Sequence, residues 1–278
     1  MIFTLIICAR EQSRLELATK TILNLERLLN ECNFPFEVIL FDNDSTITSY
    51  QRLVPKDWRV YVSETNLGYW GALYWILQKI PLETQSNLIY IIESDIEHVT
   101  LKPLNELVVF LRNYQEVKSV RTQNFNVKLK WLYDKEKRWL PFHNVESEIS
   151  LKNAISAEKA KFVKVPEFSG IFISNLHSKL PGMHRIDSLK SCFEYLEGLG
   201  QFTEKDFFQG MYKIAPKIAV LSPGIFRTLS TRRNKSFIAG ASYLELGSPF
   251  SELYIPSRQG LLDRKIIAET SVKRKIND

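Results

Sequence analysis

Residues 2–9 form an unbroken apolar run of strand length, the pattern of a strand with no solvent face. Ser13-Arg14-Leu15-Glu16 follows as a capping box, and Leu15, Ala18, Ile22, Leu25 and Leu29 recur at helical spacing along one face. Residues 36–41 form a second buried-strand run, closed abruptly by Asp42-Asn43-Asp44-Ser45. A third strand, residues 59–63, precedes Asn66-Leu67-Gly68 and a helix expected from about residue 70 to residue 80. A fourth, residues 88–92, ends in Glu93-Ser94-Asp95. Strands alternating with helical segments predict an α/β fold: a Rossmann-type, doubly wound, mostly parallel sheet flanked by helices. Such sheets bind ligands at the carboxyl ends of their strands.

Beyond His98 the pattern loosens. Residues 104–111, 189–196 and 204–213 read as helices, and 117–122, 162–165, 170–173 and 218–221 as strands. Residues 124–141 have no clean period and read as an inserted loop or hairpin, and from Arg227 onward the chain mixes basic, small and aromatic residues. No low-complexity linker or internal repeat divides the chain, so residues 1–278 are expected to form one domain. Residues 1–98 make a ligand-binding half and 99–278 a second half carrying the C-terminal loops.

Composition narrows this only a little. With 45% hydrophobic and 24% charged residues the 278-residue chain is ordinary for a globular protein, which excludes disorder and coiled coil. A net charge of +6 suits an anionic ligand such as a phosphate ester but is too thin to argue for nucleic acid. Cys8, Cys32 and Cys192 are widely spaced, with no CxxC, and read as buried free thiols. The N-terminal apolar run is too short for a membrane span and has the wrong flanks for a signal peptide, so a soluble cytoplasmic protein is expected.

Acids close two of the strands: Asp42 and Asp44 after the second, then Glu93, Asp95 and Glu97 after the fourth. Carboxylates at strand carboxyl ends can accept hydrogen bonds from a ribose or base, or hold a hard divalent cation. Each cluster taken alone could also be a turn. In their order along the chain, Val38-Ile-Leu-Phe-Asp42-Asn-Asp44-Ser45, Asn66-Leu-Gly68-Tyr-Trp-Gly71-Ala72 and Ile91-Ile-Glu93-Ser94-Asp95 resemble GT-A glycosyltransferases of the family 2 type. The match is densest over the first hundred residues.

That resemblance implies a GT-A-like fold and an inverting, metal-dependent transfer of sugar from a nucleotide-sugar donor to a carbohydrate or glycolipid hydroxyl. It places Ala9, Glu11, Asp42, Asp44, Asn66, Gly68, Gly71 and Ser94 at the donor. Asp95, with Glu93 in the first position of the DxD motif where Asp is usual, would hold Mn2+ or Mg2+. Phe202-Thr203-Glu204-Lys205-Asp206 resembles the catalytic segment, with Glu204 or Asp206 as base, and Phe168-Ser169-Gly170 the segment before the acceptor site, which puts Ser169 and Gly170 at the acceptor. Glu97 and His98 read as polar loop residues that could at most supplement these groups.

Arg227, Arg232, Arg233 and Lys235 form a basic cluster with no acid among residues 227–235, which could neutralise a leaving diphosphate through Arg232 and Arg233 or could be an exposed turn. Trp131, Tyr133 and Trp139, interleaved with lysines, could stack on an acceptor sugar or touch a membrane interface, a peripheral contact at its inner face. A nucleotidyltransferase and a non-catalytic sugar- or nucleotide-binding protein remain alternatives. The first is disfavoured by the absence of glycine from Ala9 to Ser13, and the second is kept open by Glu93.

Overall fold

The computed structural model describes residues 1–83, 86–122, 162–174, 182–199, 210, 213–214, 217–221, 224–229 and 272–275. The N-terminal strands are β1 (Ile2–Ile7), β2 (Glu37–Asn43), β3 (Arg59–Ser63), β4 (Leu88–Glu93) and β5 (Ile96–His98). They are followed by β6 (Ser119–Arg121), β7 (Phe162–Lys164), β8 (Ile171–Ser174), β9 (Gly182–Arg185), β10 (Ile218–Leu221), β11 (Phe226–Thr228) and β12 (Val272–Lys275). The helices are α1 (Gln12–Leu28), α2 (Gly68–Glu83), α3 (Pro103–Asn113) and α4 (Ile186–Leu199).

Ten of these strands share one sheet in the order β12-β3-β2-β1-β4-β9-β6-β10-β8-β7, and β5 and β11 form a separate pair. β1 pairs in parallel with both β2 and β4, and β2 with β3, so the four strands read from the N-terminal pattern align their carboxyl ends on one rim. β6 and β10 pair in parallel further along, while β9 runs antiparallel between β4 and β6. The sheet is thus mixed, with seven of its ten strands running in one direction and helices on its two faces.

The apolar runs follow from this placement. Phe3, Leu5 and Ile7 pack into one core with Leu15, Ala18, Ile22 and Leu25 of α1 and Leu104 and Leu107 of α3. Ile2 and Ile6 pack on the other face with Leu73, Ile76 and Leu77 of α2 and Leu189 and Phe193 of α4. A strand buried on both sides has no solvent-facing alternate, so β1 is apolar except for Thr4, which is itself fully buried. Each fully buried leucine, isoleucine or phenylalanine contributes about 1.5–3 kcal/mol.

Several expectations need correction. The helix after β1 starts at Gln12 with Glu11 at its N-cap and no side-chain capping bond, so Ser13 already lies in the first turn. Its hydroxyl bonds the Glu11 carboxylate at 3.3 Å instead of closing a capping box. Glu97 and His98 are not loop residues: they lie in β5, where His98 is 1% exposed and Glu97 is paired with Arg227 of β11. Cys8 and Cys32 are only half-buried, although all three cysteines are free. β9, β11 and β12 were not anticipated, and α4 is longer at both ends than the expected 189–196. Residues 124–141 and most of 204–213 lie outside the described residues.

Candidate functional site

The rim at the carboxyl ends of β1 to β4 is built from four turns. After β1, the Ala9 amide donates to Ser45 Oγ at 2.8 Å and the Ala9 carbonyl accepts from the Ile47 amide at 3.0 Å. The chain leaving β1 is therefore stitched to the turn leaving β2, and Ala9 is fully buried with both backbone groups used. Glu11, next along, is exposed at the N-cap of α1.

In the turn after β2, neighbouring acids point to opposite surroundings. Asp42 is 0% exposed; one carboxylate oxygen accepts from the Ser45 amide at 2.9 Å and the other from the Tyr50 hydroxyl. Burial, with the Asp42 carboxylate beside it, pushes the Tyr50 phenol up, so Tyr50 keeps its proton and remains a donor. Asp44 adopts a left-handed backbone, φ 68°, and pairs with Arg10, whose Nε also donates to the Asp44 carbonyl at 3.2 Å. The side chains of Arg10 and Asp44 are 35% and 23% exposed, so this pair faces the crevice while Asp42 stands behind it. Arg10 was not anticipated as a site residue. A positive charge next to Ala9 is visible in the sequence, but its partner 34 residues away is not.

The turn after β3 is held by paired amides. Asn43 Oδ1 accepts from the Leu67 amide at 2.7 Å, and Asn66 Oδ1 accepts from the Gly68 amide at 2.7 Å and from Asn43 Nδ2 at 3.2 Å. Asn66 also donates to Cys8 Sγ at 3.3 Å, linking this turn to β1. The Gly68 amide, first of α2, and the Leu67 amide just before it thus have side-chain acceptors, which is how Asn66 and Asn43 fix where the helix starts. Burial pushes the Cys8 thiol up despite Arg10 and Arg14 nearby, so it sits here as a neutral thiol. Gly68 opens α2, and Gly71 is buried in its first turn.

The fourth turn carries Glu93, Ser94 and Asp95, all partly exposed, between β4 and β5. Its backbone is bound from outside the sheet: Thr21 Oγ1 lies 2.9 Å from both the Ser94 and Ile96 carbonyls, and the Leu229 amide donates to the Asp95 carbonyl at 2.6 Å. Beneath it, His98 Nε2 meets the Tyr90 hydroxyl at 3.1 Å, and Tyr90 meets Thr122 Oγ1 at 2.9 Å. Burial pushes the His98 pKa down to about 3, so the imidazole is neutral.

The structure therefore brings Ala9, Glu11, Asp44, Asn66, Gly68, Glu93, Ser94 and Asp95 to the ends of four adjacent strands, and turns Asp42 inward. Ser169 and Gly170 lie apart from them, in the turn between β7 and β8. In the sheet order β8 is four strands from β4, roughly 19 Å at ordinary strand spacing. Gly170 takes φ 72°, which that turn requires, and Ser169 is exposed. Glu204, Asp206, Arg232 and Arg233 lie outside the described residues, as do Trp131, Tyr133 and Trp139.

Glu93 and Asp95 offer hard oxygen donors, the type Mg2+ and Mn2+ take. No group of three or more His, Cys, Asp or Glu side chains suited to a metal stands together among the described residues. Two carboxylates with phosphate oxygens completing the shell is a usual arrangement for such an ion, so the residues present fit it as a shared protein and substrate site. A separate concave depression of about 360 Å³, lined by Phe34, Phe36, Asn87 and Arg112 among others, lies at the opposite ends of β1, β2 and β4.

No family profile matches the chain, and no curated protein does. Among solved structures, it is similar to S. aureus TarS 1-349 in complex with UDP, at 18% identity over 81% of this chain and 59% of that one, TM-score 0.46. It is similar to S. aureus TarS at 16% identity over 89% of this chain and 40% of that one, TM-score 0.49. With S. aureus TarS 1-349 in complex with UDP-GlcNAc the identity is 18% over 81% of this chain and 57% of that one, TM-score 0.48. The chain thus spans between 40% and 59% of the length of these three structures. No described helix is long and apolar enough to cross a membrane.

Proposed function

We propose that this chain is a nucleotide-sugar-dependent glycosyltransferase of the inverting type. One observation carries the reading: Arg10 with Asp44, Asn66, and the Glu93-Ser94-Asp95 turn occupy the carboxyl ends of β3, β2, β1 and β4, contiguous strands of a doubly wound sheet. In that architecture this is where a nucleotide sits. The nucleoside lies against the turns after β1 to β3, facing Arg10 and Asp44, and Asp42 acts from behind by holding Ser45 and Tyr50 in place. The phosphates extend toward Glu93 and Asp95. A divalent cation bound there would offset the charge that develops on the leaving diphosphate.

The reaction breaks the bond between the anomeric carbon and the diphosphate oxygen as an acceptor hydroxyl attacks from the opposite face. Glu204 or Asp206 takes the hydroxyl proton, so no covalent sugar–enzyme intermediate forms. Leu229, whose amide binds the Asp95 carbonyl, precedes Arg232 and Arg233 by only three and four residues. That short tether supports their role as cations for the departing diphosphate.

Differential scanning fluorimetry with UDP, other nucleoside diphosphates and nucleoside triphosphates, with and without Mn2+, tests the reading. A metal-dependent rise in melting temperature with one diphosphate is expected. Stabilisation by triphosphates alone would favour a nucleotidyltransferase, and none by either a non-catalytic protein. Hydrolysis of a panel of nucleotide sugars then identifies the donor. With that donor, Glu204→Gln should lower turnover roughly 100-fold or more while donor binding persists, with Asp206→Asn as its control.

A further inference from the structure

We infer that Thr21 and Asn24, on the inner face of α1, are positioning residues for the acidic turn. They act through its backbone, and the inference rests on the reading that Glu93 and Asp95 face the donor's phosphates. Both belong to the stripe that includes Ala18, Ile22 and Leu25, and both are buried, Thr21 at 0% and Asn24 at 9% exposure. A polar side chain on the core face of a helix is unfavourable unless it is hydrogen-bonded.

Their side-chain hydrogen-bond partners among the described residues all come from one five-residue stretch, 94–98. The single Thr21 hydroxyl proton is shared between the Ser94 and Ile96 carbonyls, each 2.9 Å away. Asn24 presents an acceptor and a donor to one residue: its Oδ1 takes the His98 amide at 2.6 Å and its Nδ2 gives to the His98 carbonyl at 2.9 Å. This is the exchange a neighbouring strand would make. β5 has only three residues, and among the described residues it pairs with β11 on one side, while Asn24 supplies the exchange of a strand on the other.

The consequence is mechanical. Between the end of β4 and the start of β5 the chain reverses, and a reversal carrying two carboxylates is pushed open by their mutual repulsion. Thr21 holds the carbonyls on either side of Asp95, and the Leu229 amide holds that of Asp95 itself. The spacing of the two acids is then set by α1 rather than by the acids or an ion. The same helix begins beside Arg10 and Glu11, so α1 also fixes the distance between the nucleoside end of the crevice and its acidic end.

Three variants test this: Thr21→Val, which keeps the shape and loses the hydroxyl, Thr21→Ser, which restores it, and Asn24→Leu. Electron paramagnetic resonance reads Mn2+ affinity at saturating UDP, calorimetry reads UDP affinity without metal, and hydrogen exchange reads the amides of residues 94–98. Thr21→Val is expected to weaken Mn2+ binding about tenfold, leave metal-free UDP affinity within twofold, and speed exchange at residues 94–98. Thr21→Ser should recover most of the Mn2+ affinity, and Asn24→Leu should speed exchange most at His98. Wild-type Mn2+ affinity in Thr21→Val, or a parallel loss of metal-free UDP binding, would overturn the inference. If the wild type binds neither UDP nor Mn2+, the functional reading fails by itself, and unchanged exchange at residues 94–98 in Thr21→Val would then separately remove the positioning role.

Discussion

Replacing His98 should remove much of this protein's sensitivity to acid. The imidazole is fully buried beside Tyr90 and Phe226, its Nε2 meets the Tyr90 hydroxyl, and its Nδ1 has no hydrogen-bond partner among the described residues. Burial alone pushes its pKa from 6.5 to about 3. The unfolded chain therefore binds a proton below pH 6.5 that the folded chain refuses until about pH 3, so unfolding takes up protons in that window and stability falls as pH falls. Between pH 7.5 and 4.5 the two pKa values give a loss of about 2.6 kcal/mol from this one side chain. His98→Leu is near in size and leaves Tyr90 bonded to Thr122 at 2.9 Å. It should differ from wild type by about 1 kcal/mol or less at pH 7.5 and become the more stable protein at pH 4.5. Urea titrations at the two pH values read this directly. Equal losses in both proteins would refute the argument and show that His98 can take a proton in place.

Glu31, in the turn that follows α1, ties it to the chain entering α3, accepting from Thr100 Oγ1 and the Leu101 amide at 2.6 Å each. Burial acts to raise its pKa, but these bonds and the Lys102 amide outweigh it and hold the carboxyl below its usual value. Glu31→Gln should cost about 1 kcal/mol near neutrality, and the difference should shrink as pH falls through the folded pKa, checked by thermal melts from pH 7 to 3. At Gly182 an added Cβ would lie 2.4 Å from the Val120 carbonyl oxygen of the adjacent strand, so Gly182→Ala should destabilise by about 2–4 kcal/mol in urea unfolding. Tyr50→Phe leaves one oxygen of buried Asp42 without its hydroxyl donor; a loss of about 1–3 kcal/mol is expected, with weaker UDP binding in calorimetry as the turn after β2 loosens.

The first four strands were legible because their environment is written into their own residues: burial on both faces leaves them rich in large apolar side chains. The strands that escaped notice are three or four residues long and carry charged or polar side chains, so no local apolar run marks them. Gly182-Met-His-Arg185 is a polar tetrapeptide by any local pattern, yet it fills the gap between β4 and β6. There Arg185 is buried, its guanidinium bonding the carbonyls of Val117 and Leu111. Ile96-Glu97-His98 likewise reads as a loop. Its order comes from α1 and β11, and neither contact leaves a periodic mark on residues 96–98 themselves.

The same logic sorts the candidate site. A strand's alternation does not stop where its side chains turn polar. Val38 and Leu40 pack with Tyr50 on one face of β2, and Asp42, two residues on, inherits that face and is driven into the Tyr50 hydroxyl. Ile39 and Phe41 pack on the face that α2 covers, and Asn43 inherits it and meets Asn66 and Leu67. Only the residue beyond the strand's last position is released, and Asp44, with its left-handed backbone, is the first group free to face the crevice. Ser94 and Asp95 stand in the same relation to β4, whose final residue is Glu93. An acid at a strand's carboxyl end is therefore a ligand candidate according to whether it lies within the pleat or past it, which favours Asp44 over Asp42 and Asp95 over Glu93.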